Sequence, residues 1–110
     1  MRSGAMQVDK TEEFAAWIDA LRDRAGRARI LVRVERLIAG HPGAHRHLGG
    51  GVCELKIDAG PGYRVYYAQF GSRLLLLLAG GDKRSQNRDI VLAMALARAH
   101  GSSTRPRIVS

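Results

Sequence analysis

The stretch Gly51-Val52-Cys53-Glu54-Leu55-Lys56-Ile57-Asp58-Ala59-Gly60-Pro61-Gly62-Tyr63-Arg64-Val65-Tyr66-Tyr67 predicts two neighbouring strands of an antiparallel sheet. Its first half alternates apolar and charged side chains, the period-two pattern of a strand with one buried face. Cys53, Leu55 and Ile57 are expected to face the core, and the charged residues between them are expected to face away from it. A third strand follows in the leucine run 74–78.

The turn between the second and third strands sets part of the register. Gly-Ser at 71–72 suits a two-residue hairpin, which needs positive φ at its first position. Counting back from this turn places Tyr66 opposite Leu77 and Arg64 opposite Ala79.

The turn between the first two strands sets the register of that strand pair. A loop of three or five residues within 58–63 keeps Leu55 opposite Val65 on the core face. Lys56 then lies directly opposite Arg64. Two cations that face each other across a ladder cost up to ~1 kcal/mol, so this arrangement favours a bound anion.

The remaining elements follow from apolar spacing and from glycine. A first helix is expected to run to about Arg24, and a second, after a break at Gly26, to Gly40. Residues 7–10 supply a possible further strand, and a last helix is expected over 86–100. The predicted fold is α+β, with two N-terminal helices, an antiparallel sheet of three to four strands and a C-terminal helix.

Length and charge limit the number of domains and the kinds of partner that the protein can have. The 110 residues suit one domain, predicted over 7–101, with an added leader at 1–6 and a disordered tail at 102–110. The net charge of +8 favours an anionic partner, whether RNA, DNA, an acidic protein or the ribosome. The single cysteine, Cys53, fits core packing in a reducing cytoplasm, and the sequence has no apolar run long enough to span a membrane.

Four motifs in a fixed order resemble a known family. They are Gly-Val-x-Glu-Leu-Lys-Ile at 51–57, Gly-Pro-Gly-Tyr-Arg-Val-Tyr-Tyr at 60–67, the leucine strand, and Gly-Gly-Asp-Lys-x-x-Gln-x-x-Asp-Ile at 80–90. Together they resemble the addiction-module killer proteins, a branch of the RelE/ParE toxin superfamily close to HigB. The resemblance implies a cytoplasmic toxin of a type II toxin–antitoxin pair, commonly a ribosome-dependent mRNA endonuclease without a cofactor, inhibited by an antitoxin of the helix-turn-helix type.

The chemistry of RNA cleavage selects the expected catalytic residues. Attack by the 2′-hydroxyl builds up negative charge on a phosphorane, and the leaving 5′-oxygen needs a proton. The predicted register gathers Lys56, Arg64 and Lys83 at one end of the sheet, and the resemblance places basic site residues at the same positions. Arg64 is expected to stabilise the phosphorane, because its planar fork matches phosphate oxygens. Lys56 acts as a base only if Arg64 and burial make its amine less basic, and otherwise it is a second phosphate clamp.

Further residues are candidates for RNA contact. Arg29, Arg33 and Arg36 form a row on the second helix, which is either a solvated face or a surface that follows phosphates. Tyr66 is expected to face outward, where it stacks on a base. The histidines of the loop before the sheet lack the partners for a metal site, so no metal is predicted. The predicted RNA-binding residues are Arg33, Arg36, Arg46, His47, Tyr66, Arg84 and Gln86.

Each assignment has an alternative. Arg64 and Lys56 can pair with Glu54 or Asp58 as a structural network, and Gln86 and Asp82 can cap the last helix. Glu54 stands where RelE has a second lysine, and the C-terminal catalytic tyrosine of RelE has no clear equivalent here. The alternative functions are a ParE-like inhibitor of DNA gyrase without catalysis and a basic RNA-binding domain. The face shared by Tyr66, Leu75 and Leu77 is expected to receive a helix or an antitoxin segment.

Overall fold

The part of the chain that the structure describes forms six strands and three helices. The computed structural model describes residues 6–100 and 108–109. The elements in order are β1 (Gln7–Thr11), α1 (Glu12–Ala20), α2 (Arg24–Ile38), β2 (His45–Gly49), β3 (Val52–Ile57), β4 (Tyr63–Phe70), β5 (Leu74–Gly81), α3 (Gln86–His100) and β6 (Ile108–Val109). Among the described residues, no helix is long and apolar enough to cross a membrane.

The predicted leader at 1–6 and the predicted tail at 102–110 fall only in part within the described residues. Residues 1–5 of the predicted leader lie outside the described residues, while Met6 packs against the core. Most of the predicted disordered tail, 102–107 and 110, also lies outside them. Within that tail, Ile108–Val109 forms a short strand that pairs with β1.

The sheet is mixed. Its strand order is β2-β3-β4-β5-β1-β6, and β1 runs parallel to β5, with Gln7 beside Leu74. The prediction of a RelE-like antiparallel sheet of three to four strands is therefore wrong. The pattern at 7–10 does indicate a strand, and that strand is present. Its pairing partner lies more than 60 residues away, beyond the reach of local turn geometry.

Helices cover both faces of the sheet. One core cluster joins the α1 and α2 side to alternate sheet residues such as Leu55, Leu75 and Leu77. The other joins α3 to Tyr66, Leu76 and Leu78. A strand covered on both faces reads as a continuous apolar run, which accounts for the five consecutive leucines of β5.

The register is as predicted in one hairpin and different in the other. Five residues separate Ile57 from its partner Tyr63, and Lys56 lies opposite Arg64, as expected. The second hairpin closes with three residues, 71–73, so that Phe70 pairs with Leu74. A bulge beside Tyr66 shifts the register again.

These shifts correct two predicted placements. Arg64 lies opposite Gly81 rather than Ala79, and Tyr66 lies opposite Ala79 rather than Leu77. Because of the bulge, Leu77 pairs with Tyr67 and shares its face. Side chains alternate along β4, so this is the opposite face from Tyr66. The face that holds Tyr66 is covered by α3, so the expected antitoxin segment has no open site there.

The connection between the first two helices also differs from the prediction. The first helix begins after the Thr11 cap, whose Oγ1 accepts from the Phe14 amide, and it ends at Ala20. The predicted break at Gly26 is wrong, since Gly26 is buried inside α2. Asp23 caps this helix by accepting a hydrogen bond from the Gly26 amide. The missing side chain at Gly26 leaves space for Tyr63, whose hydroxyl donates to Asp23 Oδ2 at 2.7 Å.

Candidate nucleic-acid interface

Three cationic side chains line one pocket at the end of the sheet. Lys56 on β3 and Arg64 on β4 are direct cross-strand partners, and Lys83 follows β5, whose Gly81 pairs with Arg64. The pocket has a volume of about 230 Å³, and its remaining lining consists of Ala44, Ile57, Asp58 and Gly62. The structure thus brings together the three residues that the sequence analysis chose as catalytic.

Arg64 is held firmly at the wall of this pocket. Its Nη1 donates to the carbonyl oxygens of Gly62 and Tyr63, both at 3.1 Å. Its Nε lies 3.9 Å from Glu54 Oε2, and the side chain is only 11% exposed. The predicted outward orientation of Arg64 is correct as to the face of the sheet, but the side chain is largely buried. A fixed guanidinium loses little entropy when it binds an anion.

Gly62 lies in the turn before β4, beside the basic side chains of the pocket. Its φ is +83°, in the left-handed region that favours glycine. A Cβ at this position would lie 3.4 Å from Arg64 Nη1 and 3.6 Å from Lys83 Cβ. These are ordinary van der Waals distances, so the turn needs glycine for its backbone conformation rather than for space.

A buried carboxylate lies behind Arg64. Glu54 is fully buried, and its Oε1 accepts a hydrogen bond from Arg46 Nε at 2.7 Å. Its Oε2 accepts from Gln86 Nε2 at 2.7 Å and from the Tyr66 hydroxyl at 3.1 Å. Burial by itself raises the pKa of Glu54, but the hydrogen bonds from Arg46, Gln86 and Tyr66 outweigh it and hold the pKa below its ordinary value.

The sequence analysis missed this role of Glu54. Alternation along β3 places Glu54 on the same face as Lys56. The sequence predicted only that both charged side chains face away from the core, and that a helix or a partner covers part of the face around Tyr66. Helix α3 covers the part of this face that carries Tyr66 and Glu54 but not the part that carries Lys56. Glu54 is therefore buried while Lys56 is exposed. The sequence signal for this role is the alternative in which Glu54 pairs with Arg64 as a structural network.

Two predicted RNA contacts are occupied within the fold. Tyr66 is fully buried and donates to Glu54, so the predicted stacking of Tyr66 on a base is wrong. Burial and the nearby carboxylate also raise the pKa of the Tyr66 hydroxyl. Arg33 donates to the carbonyl oxygens of Lys56, Pro42 and Ala44, so it fastens the loop before β2 to helix α2.

The other predicted RNA contacts differ in exposure. Arg46 is half exposed while it pairs with Glu54, and Gln86 is partly buried on the same carboxylate. The side chains of Arg36, His47 and Arg84 are exposed. The His47 ring lies near the core, with Nδ1 3.1 Å from Cys53 Sγ.

Cys53 packs in the core, as the sequence indicated. It is 9% exposed, and burial raises the pKa of its thiol, which disfavours the reactive thiolate. Among residues 6–100, no three side chains of His, Cys, Asp or Glu are grouped so that they could hold a metal ion.

Asp58 adds a carboxylate to the basic pocket. It follows β3 directly and lines the same pocket as Lys56, Arg64 and Lys83. The sequence analysis considered it only as an ion-pair partner. A carboxylate among phosphate-binding cations is also a proton acceptor, so the pocket contains both a base and fixed positive charge.

Comparison with known proteins gives one family relationship. A scan against models of known protein families finds no match. An uncharacterized protein of Haemophilus influenzae is 38% identical over 96 residues, which covers 87% of this chain and 97% of that protein. Near-complete coverage at this identity means that the two chains share a fold and an origin, and the chain belongs to the same family as this Haemophilus influenzae protein.

Proposed function

We propose that the protein is the toxin of a type II toxin–antitoxin pair and cleaves mRNA on the ribosome without a metal. The single observation that carries this proposal is the convergence of Lys56, Arg64 and Lys83 on one pocket. Three cations around a small pocket match a phosphate that gains charge during the reaction. The motifs at 51–67 and 80–90 supply the family resemblance, and the net charge of +8 suits an RNA partner.

The proposed reaction assigns a role to each residue of the pocket. Asp58 takes the proton of the 2′-hydroxyl, and the resulting oxygen attacks the adjacent phosphorus. Arg64 stabilises the phosphorane, while Lys56, which is exposed, clamps a phosphate oxygen. Lys83 gives a proton to the 5′-oxygen as the phosphorus–oxygen bond breaks. The products are a 2′,3′-cyclic phosphate and a free 5′-hydroxyl.

The remaining parts of the proposal concern partners. The toxin acts in the cytoplasm, where it meets translating ribosomes, and an antitoxin of the helix-turn-helix type holds it inactive. Exposed apolar side chains on α2, at Leu31, Val32 and Ile38, offer this antitoxin an apolar surface. Arg36 on the same helix and Arg84 before α3 are exposed and available to ribosomal RNA.

The test is to map the 5′ ends of mRNA after brief expression in bacterial cells that lack any cognate antitoxin. Wild-type protein should produce new cuts within translated messages, and Arg64→Lys should reduce them at least about a hundredfold, because lysine lacks the fork. Arg64→Lys is preferred to Arg64→Ala since it keeps a cation beside the buried Glu54. Arg73→Ala, at an exposed arginine of the β4–β5 turn, is the matched control and should cut as the wild type does.

Two results would reject the proposal. Growth arrest with DNA double-strand breaks and intact messages would instead support a ParE-like inhibitor of gyrase. Binding of RNA without arrest or cleavage would support a basic RNA-binding domain.

A further inference from the structure

A second, larger pocket lies on the other side of the segment that carries Lys83. Its volume is about 550 Å³, and its lining consists of Trp17, Gly80, Gly81, Asp82, Arg84, Ser85, Arg88 and Asp89. Lys83 lines the smaller pocket, while its two neighbours in the chain, Asp82 and Arg84, line the larger one. The two pockets are therefore separated by a single short segment of the chain.

Trp17 forms an aromatic wall of this larger pocket. A Cβ at Gly80 would overlap the six-membered ring of Trp17, so the indole lies directly against the backbone of β5. Phe14 and Tyr63 contact the indole at ring-centroid distances of 5.9 and 6.4 Å, with interplanar angles of 54° and 66°. Neither ring stacks face to face on Trp17. Trp17 lines the pocket and is only partly buried, so a planar ligand there meets the part of the indole that Gly80 leaves uncovered.

The opposite charges in the pocket limit what it can bind. Asp82 Oδ1 accepts hydrogen bonds from the Arg84 and Ser85 amides, at 2.9 and 3.2 Å. Both of these bonds use Oδ1, so Oδ2 of Asp82 is left to accept from a ligand. Arg84 and Arg88 are exposed and bring donors to the same pocket. Asp89 is a second carboxylate in the lining, but it is buried, accepts a hydrogen bond from the Ser85 hydroxyl and lies 3.9 Å from Arg88. The pocket thus offers an aromatic side chain, the Asp82 carboxylate as an acceptor, the guanidinium of Arg84, and that of Arg88 beside Asp89.

From this arrangement we infer that the larger pocket binds a guanine base next to the phosphate held by Lys56, Arg64 and Lys83. Guanine combines N–H donors at N1 and N2, which match Asp82, with acceptors at O6 and N7, which match arginine. Adenine has an acceptor at N1, where guanine has a donor. Stacking on Trp17 supplies affinity that does not depend on the base. This inference rests on the proposed function, since it gives the RNA-cleaving site a base preference.

The test uses the only tryptophan of the chain as the reporter. Guanosine 5′-monophosphate should change the fluorescence of Trp17 in a saturable manner, and adenosine 5′-monophosphate should bind about tenfold more weakly. Asp82→Asn keeps the Oδ1 acceptor that caps the chain before α3 but replaces the second acceptor by a donor. It should lower the affinity for guanosine monophosphate about tenfold and raise that for adenosine monophosphate, whose N1 accepts from the new amide donor.

Two controls distinguish a loss of guanine binding from a change in surface charge or a loss of folding. Asp19→Asn changes a carboxylate that is 71% exposed and outside the pocket, so it should bind both nucleotides as the wild type does. Circular dichroism verifies that each variant is folded, and the comparison of nucleotides on wild-type protein needs no variant.

Three outcomes would overturn the inference. They are equal binding of the two nucleotides, the same fluorescence change with ribose 5-phosphate alone, and an unchanged preference in Asp82→Asn. The measurement requires no cleavage, so a protein that binds guanine but cuts no RNA would contradict only the proposed function.

Discussion

Gln86, at the start of α3, donates a hydrogen bond over 2.7 Å to the buried carboxylate of Glu54 on β3. The bond joins the last helix to the same carboxylate that lies behind Arg64. Arg46 from β2 and Tyr66 from β4 complete the network, so four elements meet at one acid. The Gly62 and Tyr63 carbonyls hold Arg64 by hydrogen bonds, and Glu54 lies 3.9 Å from its Nε as the buried counter-ion. Loss of Glu54 should therefore affect both the core and the pocket.

Replacement of Glu54 by alanine should destabilise the protein by about 3 kcal/mol. The change leaves the charge of Arg64, which is 11% exposed, without its buried counter-ion, and removes the acceptor for Gln86 and Tyr66. Glu54→Gln should cost about 1–2 kcal/mol, because the amide keeps one acceptor oxygen. Urea denaturation of the variants measures both values, and a loss below 1 kcal/mol for Glu54→Ala would contradict the network.

The stability of the protein should fall in acid more steeply for the wild type than for Glu54→Gln. The pKa of Glu54 is lower in the folded protein than its ordinary value of 4.5. The ionised form therefore contributes stability above pH 4.5, and that contribution is lost as the pH falls through the folded value. Thermal denaturation from pH 7 to pH 3 measures the difference. Parallel curves for the two proteins would show that Glu54 has no such linkage.

Asp23 contributes to the same acid transition. Its pKa is lowered by the hydrogen bonds from the Gly26 amide and the Tyr63 hydroxyl. The acid comparison is therefore made against Glu54→Gln rather than against the absolute stability, since Asp23 titrates equally in both proteins.

Gly26→Ala should destabilise the protein although it improves a helix. In an exposed helix the substitution stabilises by about 1 kcal/mol through propensity. Here a new Cβ would lie 2.5 Å from both Asp23 Oδ2 and Tyr63 Cε2, and overpacking costs about 1–3 kcal/mol. A net loss of about 1 kcal/mol is therefore expected from the difference of these magnitudes.

The control for Gly26→Ala is the reverse exchange at Ala28→Gly, an exposed position of the same helix. It should cost about 1 kcal/mol through propensity alone. Guanidinium denaturation measures the free energy of unfolding of both variants. A stabilised Gly26→Ala protein would mean that Tyr63 moves aside easily.

Lys83→Ala should weaken the binding of single-stranded RNA and reduce its salt dependence. Each phosphate contact that is lost lowers the slope of log K against log salt by about 0.7. An oligonucleotide with 2′-methoxy groups resists cleavage by the proposed reaction and serves as the probe. Fluorescence anisotropy at several salt concentrations measures the slope, and Lys10→Ala, outside the pocket, is the matched control. An unchanged slope for Lys83→Ala would exclude a phosphate contact.

Local sequence indicated four of the six described strands, the three helices in outline and one of the two hairpin registers. The predicted loop before the sheet instead contains β2 (His45–Gly49), and the predicted disordered tail contains β6 (Ile108–Val109). The alternation along β3 requires a core face with Leu55, and a five-residue turn then fixes Lys56 opposite Arg64. The approach of Lys83 to these two cations was also predicted, but from a register that placed Arg64 opposite Ala79; in the structure Arg64 lies opposite Gly81, two residues before Lys83. Alternation and turn length act over a few residues, so they can be read from the chain.

Only the tertiary structure decided the rest. The parallel pairing of β1 with β5 joins residues far apart in the chain, and the bulge beside Tyr66 changes which face each later residue occupies. The burial of Glu54 depends on α3 packing over half of a face that alternation alone describes as solvated. Long-range packing of this kind leaves no periodic signature in sequence, because it depends on which elements meet rather than on the spacing within any one of them.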